Sequence, residues 1–202
     1  MLKFNKNLAI IHSYLCADGY VIKNPETQKN KYYYVALRNT CDTLLDDFEK
    51  NFYEYFGVMP RRCKDGRTVV SNKKLYYFMT DGFSYYSREW KMPELDKELL
   101  SSWLRTFFDC EGWVFCKKAC DRSIGLDSVN HPGLEQVRNA LQKFEIPTKL
   151  RILKNKGCRR IYIYGKENLI KFEKEIGFLH PRKKAKLREA ILSYVEYEWV
   201  FP

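Results

Sequence analysis

The sequence predicts an α+β protein of two similar halves, each with the element order helix–strand–strand–helix–strand–strand–helix. Segments of matching character recur in the same order along both halves, and such self-similarity indicates an internal repeat. The strand segments alternate apolar or aromatic residues with basic or polar ones, and 45% of the 202 residues are hydrophobic, enough for a folded core. The junction at residues 90–94 is short and not rich in Gly or Ser, so we expect two closely held halves, residues 1–94 and 95–202.

The first element of each half is an apolar helical segment that ends in an acid followed by glycine. These segments are residues 8–19 and 99–112, and an aromatic residue and Val begin a strand directly after each one. Glycine suits a helix end, where a left-handed backbone conformation is common. We therefore expect each helix to end at its acid and the first strands to cover residues 20–23 and 113–116.

The remaining elements follow in the same order in both halves. The matched segments are strands at 32–38 and 123–127, helices at 42–56 and 132–144, strands at 67–71 and 160–164, and short helices at 74–78 and 168–172. A further basic strand precedes the last strand of each half, and the chain ends in a helical segment from residue 182 to about residue 199. The alternation along the strands predicts antiparallel sheets with one face on the helices and the other face outward.

The charge of the chain points to a polyanionic partner. Lys and Arg number 36 against 25 Asp and Glu, a formal net charge of +11, and the basic residues are spread through the predicted strands and helices. A duplex phosphate backbone is the commonest such partner, although a generally basic protein such as a ribosomal one has a similar composition. No segment is apolar enough for a signal peptide or membrane span, so we expect an intracellular protein of the cytoplasm, nucleoid or an organelle.

The seven cysteines predict reduced thiols and not a disulfide framework, because their number is odd and their spacing irregular. Cys110, Cys116 and Cys120 lie close together, which raises the possibility of a zinc site. Zinc sites usually combine two close Cys pairs, or one pair with two His, and neither pattern occurs here. A zinc site is therefore not expected.

Two acids, Asp18 and Glu111, occupy the same position of the two repeats. If the two apolar helices form the seam between the halves, both carboxylates emerge side by side at one end of it. Paired carboxylates beside a basic surface suit Mg²⁺, which can generate hydroxide and stabilise the leaving oxygen in phosphodiester hydrolysis. The alternative is that both are ordinary helix-end acids, but the helix dipole disfavours a carboxylate at a C-terminus, and its occurrence twice favours a bound cation.

The segments IHSYLCADG at residues 11–19 and LRTFFDCEG at residues 104–112 resemble the two copies of the motif that names the LAGLIDADG homing endonucleases. The double motif, the repeat and the basic stretch at residues 178–187 resemble the single-chain, two-motif, monomeric and archaeal-like branch of that family. The resemblance implies two pseudo-symmetric αββαββα halves with saddle-shaped antiparallel sheets and the motif helices at the centre. It also implies double-strand cleavage of DNA at a long asymmetric site, by a protein that is usually encoded within an intron or intein.

The family resemblance also implies a metal site and a set of surrounding residues. Asp18 and Glu111 would hold Mg²⁺ or Mn²⁺, with Ca²⁺ as a non-cleaving substitute, helped by the backbone carbonyls of Ala17 and Cys110. Polar or basic residues near each scissile phosphate would be Arg38, Asn39, Ser128, Lys91 (or Arg88) and one of residues 182–184, for which we choose Lys184.

The outward strand faces are expected to bind DNA, since a two-stranded ribbon fits the major groove and Arg or Lys can read guanine edges there. The candidates are Lys23, Asn24, Tyr32, Tyr34, Arg38, Arg61, Arg62, Arg67, Lys117, Lys118, Arg122, Lys149, Arg151, Arg159 and Arg160. The sequence leaves open which of them contact bases and which contact phosphates.

The motif positions that are usually Ala or Gly in the family are His12 and Ser13 in one copy, with Arg105 and Thr106 in the other. We expect His12 and Arg105 to point into their own half or toward solvent. Two other functions remain open on the same fold, an intron RNA maturase and a DNA-binding regulator that no longer cleaves. The presence of both acids favours the nuclease, and the repeat would let the chain act as a monomer.

Overall fold

The computed structural model describes residues 3–117, 121–153 and 157–194. Its elements in the first half are α1 (Lys6–Ala17), β1 (Gly19–Lys23), β2 (Tyr33–Arg38), α2 (Asp42–Phe56), β3 (Arg61–Arg62), β4 (Arg67–Ser71) and α3 (Lys73–Met79). Those in the second half are α4 (Lys97–Glu111), β5 (Gly112–Lys117), β6 (Asp121–Ser128), α5 (His131–Gln142), β7 (Lys149–Leu153), β8 (Cys158–Tyr164), α6 (Lys166–Glu175) and α7 (Pro181–Leu192).

The strands form two four-stranded antiparallel sheets of the same topology. Their strand orders are β1-β2-β4-β3 and β5-β6-β8-β7. One face of each sheet carries buried aliphatic residues such as Val35 and Leu37 in the first sheet and Ile124 and Leu126 in the second. The predicted α+β fold with two αββαββα repeats is confirmed, and α7 is an addition to the second repeat. The predicted boundary between residues 94 and 95 falls in the connection between α3 and α4.

Helices α1 and α4 pack against each other at the centre of the core. Ser13 lies where they approach, and its hydroxyl donates a hydrogen bond of 2.7 Å to the backbone carbonyl of Trp103 on the other helix. A small side chain at this position lets the two helix backbones come close.

The expectation that His12 and Arg105 point into their own half or toward solvent holds for the His12 ring, which packs against Phe83 and Tyr85 of its own half at 4.6 and 5.3 Å between ring centroids. It misses the contacts that both side chains make with the opposite half. His12 is fully buried, and its Nδ1 accepts a 3.2 Å hydrogen bond from the indole of Trp103 on the opposite motif helix. Arg105 reaches across in the other direction, with a 3.5 Å contact to Asp47 of α2. Both side chains therefore tie the two halves together, because a polar group at a buried seam needs a partner there.

The glycines after the two acids are needed for close packing and not for a left-handed backbone conformation, which is what the sequence suggested. Neither backbone is left-handed, since Gly19 has no positive φ and Gly112 has φ −78° and ψ 161°. A Cβ on Gly19 would lie 2.5 Å from the Cα of Leu15, and one on Gly112 would lie 2.6 Å from the carbonyl oxygen of Phe108. Glycine is required because the first strand of each half turns back sharply against the last turn of its motif helix.

The C-terminal helix begins at Pro181 and extends to Leu192. Residues 195–202, the last part of the helical segment predicted to reach residue 199, lie outside the described residues, as do Lys118 and Cys120. None of the helices within the described ranges is long and apolar enough to cross a bilayer.

Candidate metal and nucleic-acid site

The two acids lie at the adjacent C-terminal ends of the motif helices. Asp18 follows the last residue of α1, and Glu111 is the last residue of α4. The thiol of Cys110 interacts electrostatically with the carboxylate of Asp18, so the residue before one acid lies close to the other acid. The structure thus brings together the two carboxylates that the repeat predicted would meet.

Asp18 is held by the end of strand β2. The side-chain amide of Asn39 donates a 2.7 Å hydrogen bond to Oδ2 of Asp18, and the backbone N–H of Arg38 donates one of 3.2 Å to the Asp18 carbonyl. The other end of the Asn39 side chain accepts the backbone N–H of Cys41 at 2.8 Å, so the amide orientation is fixed. Asn39 therefore positions the Asp18 carboxylate.

Glu111 carries the clearest electrostatic signature of the site. Its pKa is raised to about 7, first because the surrounding protein removes water from the carboxylate, and then because of the charges of Asp18 and Asp127. The ammonium group of Lys183 opposes this rise. Two acids that repel each other in a restricted space favour a shared cation, and carboxylate and carbonyl oxygens are the donors that Mg²⁺ prefers.

The donor set fits a divalent cation that keeps most of its water ligands. Within the described ranges, no group of three or more His, Cys, Asp or Glu side chains could hold a metal. The protein donors at this end of the seam are the carboxylates of Asp18 and Glu111 and the carbonyl of Ala17, whereas the carbonyl of Cys110 already accepts a hydrogen bond from Lys183. Mg²⁺ commonly binds through one or two carboxylates and takes its remaining ligands from water and substrate phosphate.

Lys183, and not Lys184, lies at this site. Its ammonium group donates to the carbonyls of Phe108, Asp109 and Cys110, at 3.1, 2.6 and 3.1 Å. Lys184 lines a different groove, with Arg105 and Glu173, because successive residues of a helix are rotated by about 100°. The position of Lys184 therefore does not support its predicted catalytic role, and Lys183 is the basic residue that the geometry selects from residues 182–184.

Asp109, the inner acid of the second motif, has a structural role. Its carboxylate accepts the backbone N–H groups of Leu179 and His180, at 2.9–3.0 Å, where α7 begins. Burial raises the pKa of Asp109 to about 6, although these N–H groups favour the charged form. The first motif has Cys16 at this position, within 3.5 Å of His12.

A groove of about 300 Å³ runs beside Glu111 and contains residues of both halves, among them Ala17, Ser87, Trp90, Glu111 and Ser128. Lys91 does not line this groove, and Arg88 does not line it either. Both are exposed, and the catalytic role predicted for Lys91 remains a prediction that this geometry does not support.

The outward sheet faces carry part of the predicted DNA-binding set. Strand register and alternation give these faces the residues Tyr34, Arg38, Arg61 and Arg67 in the first sheet and Lys117, Lys149, Arg151 and Arg160 in the second. Tyr32 lies just before β2, stacks on Tyr34 at 5.8 Å between ring centroids, and is 43% exposed. These residues share a surface that flanks the two acids.

Four basic candidates lie on the opposite, helix-facing sides of the strands. Lys23 lies two residues after the buried Val21, and Arg159 lies two residues before the buried Ile161. Residues two apart on a strand face the same side, so both face the helices. Arg62 makes ion pairs with Asp42, Asp46 and Glu49 of α2.

Arg122, the fourth of these candidates, donates to the hydroxyl and carbonyl of Ser193, both at 2.6 Å, and packs on the ring of Tyr194. The side of the strands on which these four residues lie does not support the predicted contact with DNA, because residues an odd number of positions apart on a strand face opposite ways. Asn24 instead closes its own loop, with bonds to Gln28 and Asn30.

Asp127 is the residue near the site that sequence reasoning missed. It lies at the end of β6, lines the groove beside Glu111, and forms two hydrogen bonds with Arg160. Its repeat equivalent is Arg38, because Gly19 pairs with Leu37 and Gly112 pairs with Leu126. Alignment of the repeats at these strand ends would have identified it.

Comparison with known proteins places these observations in a family context. Residues 98–177 match a family model described as a LAGLIDADG-like domain. The chain is 36% identical over 94 residues to a replication factor C small subunit from Thermococcus kodakarensis, and 28% identical over 202 residues to one from Methanocaldococcus jannaschii. These alignments cover 46% and 93% of this chain but 10% of each relative. The chain thus spans about a tenth of the length of the curated relatives it matches.

Solved structures with a similar fold include homing endonucleases. A structure of mesophilic variants of I-DmoI and one of I-DmoI with DNA and Ca each superpose with a TM-score of 0.65, at 18% and 17% identity, over 91% of this chain and 99% of theirs. I-WcaI bound to its DNA recognition sequence gives a TM-score of 0.56 at 18% identity, over 93% of this chain and 88% of that one. Other I-DmoI complexes were solved with Mn or Mg. At these identities the likeness establishes the fold.

Proposed function

We propose, from the premise that this chain has the single-chain, two-domain LAGLIDADG homing endonuclease fold, that it is a site-specific DNA endonuclease dependent on a divalent metal. The observation that carries the proposal is the meeting of Asp18 and Glu111 at one end of the seam, where partial desolvation and then the charge of Asp18 raise the pKa of Glu111 to about 7. Two carboxylates held close together repel each other, and a divalent cation bound by both of them would remove that repulsion.

The metal would be held by the carboxylates of Asp18 and Glu111, with the carbonyl of Ala17 as a further donor. A bound Mg²⁺ or Mn²⁺ would supply an activated water and neutralise charge on the phosphate. Asn39 fixes the Asp18 carboxylate, and Lys183 keeps a positive charge beside the end of α4. Arg38, exposed at the end of β2, is available to contact a phosphate oxygen.

The partner would be double-stranded DNA. Support comes from the net charge of +11 and from the outward sheet faces that flank the acids. The two sheets present different outward residues, so we expect the two halves to contact different sequences of an asymmetric target. The repeat supplies both halves of the site, so we propose that the protein acts as a monomer.

Cleavage of a plasmid library of randomised sites, with Mg²⁺ or with EDTA, tests the proposal. We expect double-strand cutting at one long sequence in Mg²⁺, and its loss in both Asp18→Asn and Glu111→Gln while DNA binding persists. Glu98→Gln is a matched control, because Glu98 is an exposed acid at the opposite end of the same helix. It should cut like the wild type.

Failure to cut any duplex in Mg²⁺ or Mn²⁺ would contradict the nuclease proposal. Binding to structured intron RNA would then favour a maturase, and tight binding to one duplex without cutting would favour a DNA-binding regulator. The presence of both acids supports the nuclease over these two, because neither of them needs a metal site.

A further inference from the structure

The strand ends beside the two acids carry opposite charges in the two halves. In the first sheet Arg38 pairs across the strands with Arg67. In the second sheet the same positions are occupied by Asp127 and Arg160. The same strand-end position is thus a cation in one half and a carboxylate in the other.

Asp127 binds Arg160 through two hydrogen bonds, from Nε to Oδ1 and from NH2 to Oδ2, each of 2.5 Å. The guanidinium group also donates to the hydroxyl of Tyr162 at 3.1 Å and packs on the rings of Trp113 and Tyr162 at 5.1 and 5.6 Å. A Cβ at Gly125 would overlap the indole of Trp113, so glycine makes the space for this stack. A paired fork of this kind is fixed in orientation and directs its charge at the carboxylate.

The first half leaves its cations available. Arg38 is exposed, and within the described ranges no acid forms an ion pair with it. Arg67 interacts with the hydroxyl of Tyr20 and forms an ion pair of 2.7 Å with Asp65 in the adjacent turn, and both members of the pair are 46% exposed. Such an exposed pair is weak and readily exchanged for a phosphate, whereas the Arg160 and Asp127 side chains are only 26% and 34% exposed.

We propose that Asp127 is a positioning residue that withholds Arg160 from the DNA, so that the half bearing Arg38 engages its scissile phosphate more strongly and the two strands are cut in a fixed order. This inference rests on the proposed endonuclease function. A phosphate approaching the second half meets a carboxylate where its counterpart in the first half meets an arginine. Charge that stabilises a transferring phosphoryl group accelerates cleavage, so the strand served by the first half is cut first.

Strand-resolved cleavage tests the order. On a supercoiled plasmid bearing the selected site, the wild type should accumulate a nicked intermediate, one strand being cut roughly tenfold faster than the other. Asp127→Asn should speed the slow strand and remove most of the intermediate, Asp127→Glu should keep the order, and Arg38→Ala should slow the fast strand. Equal cutting of both strands by the wild type, or an unchanged slow strand in Asp127→Asn, would overturn the proposal.

Binding provides a readout that does not depend on cutting. In Ca²⁺, Asp127→Asn should make the dependence of DNA affinity on salt steeper by about one phosphate contact, and adding Arg160→Ala should remove that gain. Arg160→Ala alone should make the salt dependence shallower by about one contact, because it leaves the Asp127 carboxylate unpaired beside the phosphate. If no variant cuts DNA, the nuclease proposal fails, while an unchanged salt dependence in Asp127→Asn would overturn the withholding of Arg160.

Discussion

At the scale of single residues, the function depends on where two carboxylates lie. The raised pKa of Glu111 means that the folded protein binds this proton more tightly than the unfolded chain does. Stability without metal should therefore fall as pH rises from about 4.5 toward about 7, through the interval between the unfolded and folded pKa values. The site gives up folding stability in order to hold negative charge.

Glu111→Gln should remove this cost. In EDTA we expect the variant to be more stable than the wild type at pH 8 by about 1 kcal/mol, a value reduced for the solvent exposure of the carboxylate, and equal to it at pH 4. Urea unfolding at the two pH values measures the difference. A variant that is less stable than the wild type at pH 8 would show that the ionised Glu111 carboxylate stabilises the fold through favourable contacts.

Lys183→Met should weaken the end of α4, because three carbonyls lose a charged donor. We expect a loss of about 1–2 kcal/mol in unfolding free energy. Lys184→Met is the matched control, because the side chain of Lys184 is next in sequence but faces another groove. We expect this variant to change the unfolding free energy by less than about 0.5 kcal/mol. Equal losses in the two variants, measured by urea unfolding, would contradict the assignment of Lys183 to the site.

At the scale of elements, the sequence predicted most boundaries because apolar periodicity and caps mark them. Helix α2 covers residues Asp42–Phe56, the range predicted, and ends at Gly57 with a left-handed backbone (φ 66°). Strand faces were harder to predict. In β6 the polar Ser123 is buried, and Arg122 packs under the end of α7, a contact between segments 71 residues apart. Local alternation cannot reveal such a contact.

Helices α4 and α7 secure each other's ends. Asp109, in the last turn of α4, accepts the N–H groups at the start of α7, while Lys183, in the first turn of α7, donates to the carbonyls at the end of α4. Unpaired backbone groups at both helix ends are thus satisfied by side chains of the partner helix. Glu111 lies two residues beyond Asp109, so the contacts between α4 and α7 also fix the position of Glu111.

Asp109→Ala should detach the start of α7. The loss of a buried carboxylate with three backbone hydrogen-bond contacts should cost about 2–3 kcal/mol. Amide hydrogen exchange should show faster exchange at Leu179 and His180 and through the first turn of α7, with α5 as an internal reference. Unchanged protection of α7 would mean that apolar packing alone holds the helix.

At the scale of the whole molecule, the α1–α4 seam determines whether the two acids meet. The sequence predicted the seam and the acids from the repeat, but it could not predict the contacts that cross it. His12 and Arg105 look unsuited to a helix interface, and both find their partners in the opposite half, Trp103 and Asp47. Those partners are distant in sequence, so no local pattern identifies them.

Ser13→Leu should separate the motif helices. The buried hydroxyl contacts the Trp103 backbone at 2.7 Å, leaving no room for a larger side chain, and overpacking should cost about 2–3 kcal/mol. Ser13→Ala, which only loses the hydrogen bond, should cost about 1 kcal/mol. Urea unfolding of both variants measures the difference, and equal costs would show that the helices can move apart freely.

Metal binding itself tests the central claim most directly, that Asp18 and Glu111 hold one divalent site in common. Titration of Mn²⁺ by electron paramagnetic resonance, at pH 8 with a bound duplex, compares the wild type with Asp18→Asn, Glu111→Gln and the double variant. We expect each single substitution to weaken binding at the site and the double substitution to abolish it, with Glu98→Gln unchanged. Undiminished Mn²⁺ binding by the double variant would contradict the account.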